Sequence, residues 1–133
     1  MTATQTRALT AEADAPQLGE LLVASAKNRR DCAAAQALTE EETLLARPQV
    51  RTALVVKQEG RMTARWEGLA GRQYTLGLEP AEVTFLGLVL SILGIGSVPI
   101  AAMEELDERR LEIILRAILR LTRNDRIAVD TRL

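Results

Sequence analysis

The sequence has no histidine and a single cysteine, Cys32. Without histidine the chain lacks the side chain that most often serves as a general base near neutral pH, and also the commonest zinc ligand. One cysteine supplies neither a thiolate metal site nor a CxxC redox pair, and it forms no intrachain disulfide. As a nucleophile Cys32 would have no imidazole beside it; set next to Ala33, Ala34 and Ala35, it reads as a small buried thiol. Aromatics are scarce as well. Trp66, Tyr74 and Phe85 are the only three, so the core has to be aliphatic and nucleobases find few stacking platforms.

A dominant charge is also missing. Seventeen basic residues face eighteen acidic ones for a net charge of −1, so no overall field draws the chain to nucleic acid or to an anionic membrane. Among the cations only Lys27 and Lys57 are lysine; with the abundance of Ala and Leu, this arginine bias is that of a GC-rich bacterial coding sequence. The opening residues place Arg7, Glu12 and Asp14 ahead of any apolar run, the wrong order for a secretory signal, and the cytoplasm is the expected location.

Charge is wholly absent over residues 83–103, a stretch long enough to span a bilayer. Gly94, Gly96 and Pro99 interrupt its second half and limit a continuous helix to residues 80–93. At 1.5 Å per residue that helix is roughly 20 Å long, short of a hydrocarbon core of about 30 Å. A buried core helix is therefore expected, with a membrane-associated protein using 83–103 as an alternative.

The length suits a single domain over 1–133, in which residues 1–13 form a flexible tail. Asp14 and Pro16 mark a helix start, followed by apolar Leu18, Leu21 and Leu22 and ending near Asn28. Asp31 is placed to cap a second helix through the alanine run to Leu38. Thr39 and Glu42 read as a capping box for a last turn over 40–46, stopped by Pro48, which puts Glu40, Glu41 and Glu42 at a positive helix terminus.

From Arg51 the period changes to two. Thr52, Leu54 and Val56 share one face and Arg51 and Lys57 the other; beyond Glu59 and Gly60, Met62, Ala64 and Trp66 face inward while Arg61, Thr63, Arg65 and Glu67 face outward. That pattern predicts a hairpin. Tyr74 and Leu76 extend it to a third strand, and Ile127, Ala128 and Val129 offer an edge strand.

Pro80, flanked by Glu79 and Glu82, opens a helix whose body is apolar on every side. Gly87, Ser91 and Gly94 give it one stripe almost free of side chains. After the 96–99 break, residues 107–122 form an amphipathic helix with Leu111, Ile114, Leu115, Ile118 and Leu121 on one face, and with Glu112 and Arg116 paired on the other. The expected fold class is α+β: an antiparallel meander of three to four strands packed by the buried helix and the C-terminal amphipathic helix, with an N-terminal helical segment.

No catalytic constellation emerges, and no metal or cofactor is expected. The carboxylates of Glu40, Glu41, Glu42, Glu104, Glu105, Asp107 and Glu108 sit at predicted helix starts, where capping and the dipole explain them. Residues 94–97 are glycine-rich but follow a helix and lack the lysine of a phosphate loop. The leading expectation is a non-catalytic interaction or regulatory module that pairs with itself as a homodimer and with an unidentified protein. Gly87, Ser91, Gly94, Ile113 and Leu119 are the candidate interface, because two apolar helices exceed what one small sheet covers. The alternative is a DNA-binding regulator holding phosphates with Arg51, Lys57, Arg61 and Arg65 on the hairpin or with Arg116, Arg120 and Arg123 on the last helix.

Overall fold

The structure, a computed structural model, describes residues 15–128. Among the described residues five α-helices and one β-hairpin make up the regular elements: α1 (Ala15–Ala24), α2 (Arg29–Glu41), α3 (Pro48–Leu54), β1 (Val55–Gln58), β2 (Arg61–Ala64), α4 (Pro80–Ile92) and α5 (Glu108–Leu121). Short 3-10 helices at Trp66–Gly68 and Ile100–Glu105 complete the order.

Helix α2 is the hub, packed against α1, α4 and α5. Its cap is Asn28 and not the expected Asp31: the Asn28 side chain accepts the Asp31 N–H at 2.9 Å. Alanine then propagates the helix and keeps its sides thin. Ala33, Ala34, Ala35, Ala37 and Leu38 are all buried, and their small side chains allow neighbouring helices to approach on several sides. The expected capping box at Thr39 and Glu42 does not form, because α2 continues to Glu41 and the Thr39 hydroxyl donates back to the Ala35 carbonyl at 2.7 Å. Pro48 begins a helix where it was expected to end one. It occupies the first turn of α3, where its fixed φ fits and its missing N–H has no partner to lose.

The sheet is smaller than expected, with two strands instead of three or four. Residues 51–54 are the end of α3, whose buried Val50 and Leu54 lie four apart and mimic one tooth of an alternating pattern. Glu59 and Gly60 turn the hairpin with φ of 51° and 79°, the mirror-image geometry that matches strand twist. The register pairs Val55 with Ala64 and Lys57 with Met62. The inward face therefore carries Val55, Met62 and Ala64, which pack on the core, and the expected inward Val56 belongs to the other face. A slip of one residue in the reading of β1 accounts for the difference.

Tyr74 and Leu76 form no strand. The amides of Leu69, Ala70, Arg72 and Thr75 bond to carbonyls three or four residues back, so this glycine-bearing segment spends its backbone groups on turns. Ile127 and Ala128 are not in a strand either, and Val129, like the expected tail over 1–13, lies outside the described residues. The hairpin packs mainly on α1. Helix α4 is covered by α2, α5 and the 3-10 helix Ile100–Glu105 instead of by a sheet.

The apolar stretch is broken where its glycines and proline fall. Helix α4 stops at Ile92, Gly94 takes φ +82°, and the chain re-forms as a 3-10 helix after Pro99. Among the described residues no helix is long and apolar enough to cross a membrane. Helix α5 buries Ile113, Ile114 and Ala117, a face centred slightly apart from the expected stripe, so that Ile118 is partly exposed.

The tight fit of α2 has a measurable consequence. Ala34→Leu is expected to lower stability by about 1–3 kcal/mol through overpacking, whereas Ala46→Leu, at an exposed turn, should stay within about 0.5 kcal/mol. Urea unfolding checks both, and coincident midpoints would contradict the central position of α2.

Candidate functional site

Among the described residues two carboxylates lie inside the protein. Glu41, at the end of α2, is 0% exposed and Glu82, in the first turn of α4, is 1% exposed. Each has a guanidinium. Arg110 at the start of α5 donates from Nε to Glu41 Oε2 at 3.0 Å and from Nη1 to Asp107 Oδ1 at 2.9 Å. Arg47 grips Glu82 with two bonds, Nε to Oε2 at 2.9 Å and Nη2 to Oε1 at 2.6 Å. Backbone amides add to both: Leu44 N–H donates to Glu41 at 2.8 Å and Glu79 N–H to Glu82 at 2.9 Å. The Thr43 hydroxyl stands between the carboxylates, bonded to Glu41 and 3.2 Å from Glu82 Oε2. Arg109 donates to the carbonyls of Glu40 and Glu41, and Arg120 to Glu40 Oε1 at 2.7 Å.

This cluster is a clasp. It joins the end of α2, the 42–47 loop, and the starts of α4 and α5. Burial pushes the Glu82 carboxyl up, but the bonds from Arg47, the Glu79 amide and Thr43 outweigh it and hold the group below its ordinary range. Asp107 behaves likewise: desolvation raises it, and Arg110 with the local amides brings it below the usual value. Arg47 is raised by its bonds to Glu82; burial lowers Arg110, and Asp107 and Glu41 raise it by more. A depressed, fully paired carboxylate is a poor proton acceptor near neutral pH. Among the described residues no three or more Cys, Asp or Glu side chains are grouped to hold a metal ion.

The cations expected to hold phosphate are scattered. Arg51 is in α3 and donates to the Leu45 carbonyl. Lys57 and Arg61 fall on opposite faces of the hairpin by its register, and Arg65 follows β2. Arg116 and Arg120 both turn to Glu40, at 3.5 and 2.7 Å, and Arg123 lies exposed beyond α5. No single surface collects them.

The candidate interface residues are largely occupied within the chain. Ile113 is in the core and Leu119 is half-buried. Gly94 lies beside the Arg30 guanidinium. Ser91 donates to the Gly87 carbonyl at 3.0 Å and accepts the Val98 N–H at 3.2 Å, which draws residues 97–99 over the small-residue stripe. A side chain at Gly87 would come within 2.7 Å of Val98 Cγ2, so only glycine admits this approach without displacement.

The same approach shapes an open groove of about 480 Å³. Val83, Thr84 and Gly87 of α4 form one wall, Val98, Pro99 and Ala102 the other, and Tyr74 and Leu78 close an end. The Thr84 hydroxyl donates to Glu105 Oε2 at 3.1 Å and ties the walls together. Tyr74 is 78% exposed, and so is Ile100, next to the lining residue Pro99. The small-residue stripe is legible in the sequence, whereas Tyr74 reads there as part of a strand and Val98 as part of a loop. The one signal was the apolar run Val98, Pro99, Ile100 beside the helix break.

The clasp makes two predictions. Arg110→Met leaves Glu41 buried without its cation and is expected to cost about 3–5 kcal/mol in urea unfolding; a loss under about 1 kcal/mol would contradict the pairing. For Glu82 the native carboxyl titrates below the ordinary 4.5, so as pH falls the unfolded chain takes up this proton first. Its stabilisation is complete above pH 4.5 and is lost as pH drops through the native value. Urea midpoints against pH should show this acid decline in the wild type and a shallower one in Arg47→Met, and superimposable profiles would contradict it. No protein family, curated protein or solved structure matches this chain.

Proposed function

We propose that the protein is a non-catalytic interaction module that receives apolar side chains of a partner protein in the groove between α4 and the 3-10 helix Ile100–Glu105. The observation that carries this reading is the groove itself, about 480 Å³ and lined mainly by apolar residues, with Tyr74 at its end and exposed Ile100 beside it. Its volume lies in the range of ligand-accepting clefts, and an exposed aromatic is the residue type most enriched at interfaces. A depression of about 400 Å³ lined by Val23, Ala24, Gln36 and Thr39 together with charged Glu20, Glu40 and Arg120 is a weaker candidate, because two of its three charged residues, Glu40 and Arg120, are paired with each other. A cytoplasmic setting belongs to the same reading, since the single Cys32 needs no oxidising compartment.

Self-pairing loses its original motivation, because α4 is enclosed by α2, α5 and the 3-10 helix. A second copy remains a rival occupant that solution mass can detect.

Tyr74 is the only tyrosine, so incorporating 3-fluorotyrosine places one ¹⁹F reporter at the groove. Adding a neutral amphipathic Leu/Ser/Gln peptide up to about 1 mM is expected to shift that resonance saturably. Ala102→Trp, which fills the groove from the half-exposed 3-10 helix, should abolish the shift. A resonance that stays still, or that moves equally in Ala102→Trp, contradicts the reading.

A further inference from the structure

We infer that the groove is built for a cationic segment, one whose apolar side chains enter the cleft while flanking Lys or Arg residues meet its rim. This rests on the groove being a docking site. The argument is the charge around it. Glu105 lines the groove, Glu79 stands between the lining residues Leu78 and Pro80, and Glu104 precedes Glu105 on the 3-10 helix. All three are exposed. Among the described residues no Lys or Arg lines the groove.

The cations carried by adjoining elements have partners within the chain, and Arg72, two residues before Tyr74, donates to the Gly68 carbonyl at 3.3 Å. Arg47 is bonded to Glu82, Arg109 to the carbonyls of Glu40 and Glu41, and Arg110 to Glu41 and Asp107. Among the described residues the Glu104 side chain has no hydrogen bond or ion pair, and the Glu105 side chain is met only by the Thr84 hydroxyl. Glu79 feels the field of Arg47 but forms no ion pair with it. The rim therefore keeps its negative charge. Within a Debye length of roughly 8 Å at physiological salt, that charge draws cationic flanks toward the apolar walls and repels acidic segments and nucleic acid.

The test compares three synthetic peptides of one length and one apolar face, Leu with Lys, Leu with Ser and Gln, and Leu with Glu. Each is titrated against the fluorotyrosine-labelled protein at low and physiological salt. The Leu/Lys peptide is expected to bind about tenfold more tightly than the neutral one at low salt, with the advantage shrinking as salt rises. The Leu/Glu peptide should bind most weakly. In the double variant E104K/E105K, whose fold is checked by Trp66 fluorescence, the order of Leu/Lys and Leu/Glu should reverse, while Ala102→Trp should block all three.

Equal binding of the charged and neutral peptides at Tyr74 overturns the cationic preference and leaves the groove as a docking site. A Tyr74 signal that no peptide moves overturns both. Tight Leu/Lys binding that survives Ala102→Trp lies outside the groove and overturns the inference. Light scattering that shows two chains per particle, reduced to one by Ala102→Trp, would make a second copy the occupant and overturn it too.

Discussion

Two buried glutamates organise this fold. An unpaired carboxylate inside an aliphatic core would be among the costliest groups a small protein can hold, and here each is answered by an arginine, a backbone amide and a shared threonine. Their partners come from three separate parts of the chain, the 42–47 loop, Glu79 and Arg110. Removing any one of them would expose another to an uncompensated charge, so the start of α4, the start of α5 and the end of α2 are held in one arrangement. Apolar contacts are non-directional and would tolerate several placements of thin alanine-rich helices; the clasp restricts that freedom.

The lack of aromatic bulk explains much of the rest. With only Trp66 and Phe85 buried among the aromatics, the interior is filled mainly by Leu, Ile, Val and Ala. An open groove lies at the surface. It opens where Gly87 removes a side chain from α4, Ser91 anchors the returning loop and the 3-10 helix folds back toward Thr84. The clasp and the groove are thus consecutive on α4, with Glu82 at the buried end of one wall and Val83, Thr84 and Gly87 along it. A groove so placed inherits its geometry from the ion pairs beneath it.

Local pattern showed part of this in the sequence, and the distances between partners hid the remainder. Helix α4, its break at Gly94 to Pro99, the cap at Asp107 and the turn at Glu59 and Gly60 all depend on residues within a few positions of one another, and these were legible. The short α3 was not, since seven residues give only one repeat of a helical period and imitate alternation. The third strand failed because Tyr74 and Leu76 have strand-forming side chains in a segment whose amides are already used in turns. The acidic triplet at residues 40–42 read as helix-terminal decoration. Its partners, Arg109, Arg110 and Arg120, lie 68 to 80 residues further along, and no spacing rule connects them. The candidate phosphate ligands Arg116 and Arg120 pair with Glu40 across a similar separation in the chain, which local pattern likewise does not show.

Native-state hydrogen exchange at the amides of Leu44 and Glu79 tests the organising role of the clasp most directly. Both amides lie outside helices and strands, and each donates to a buried glutamate side chain. At neutral pH they should exchange as slowly as the core of α2, through global unfolding alone. Exchange of either at the rate of an open loop would show that the two carboxylates do not hold the helices together.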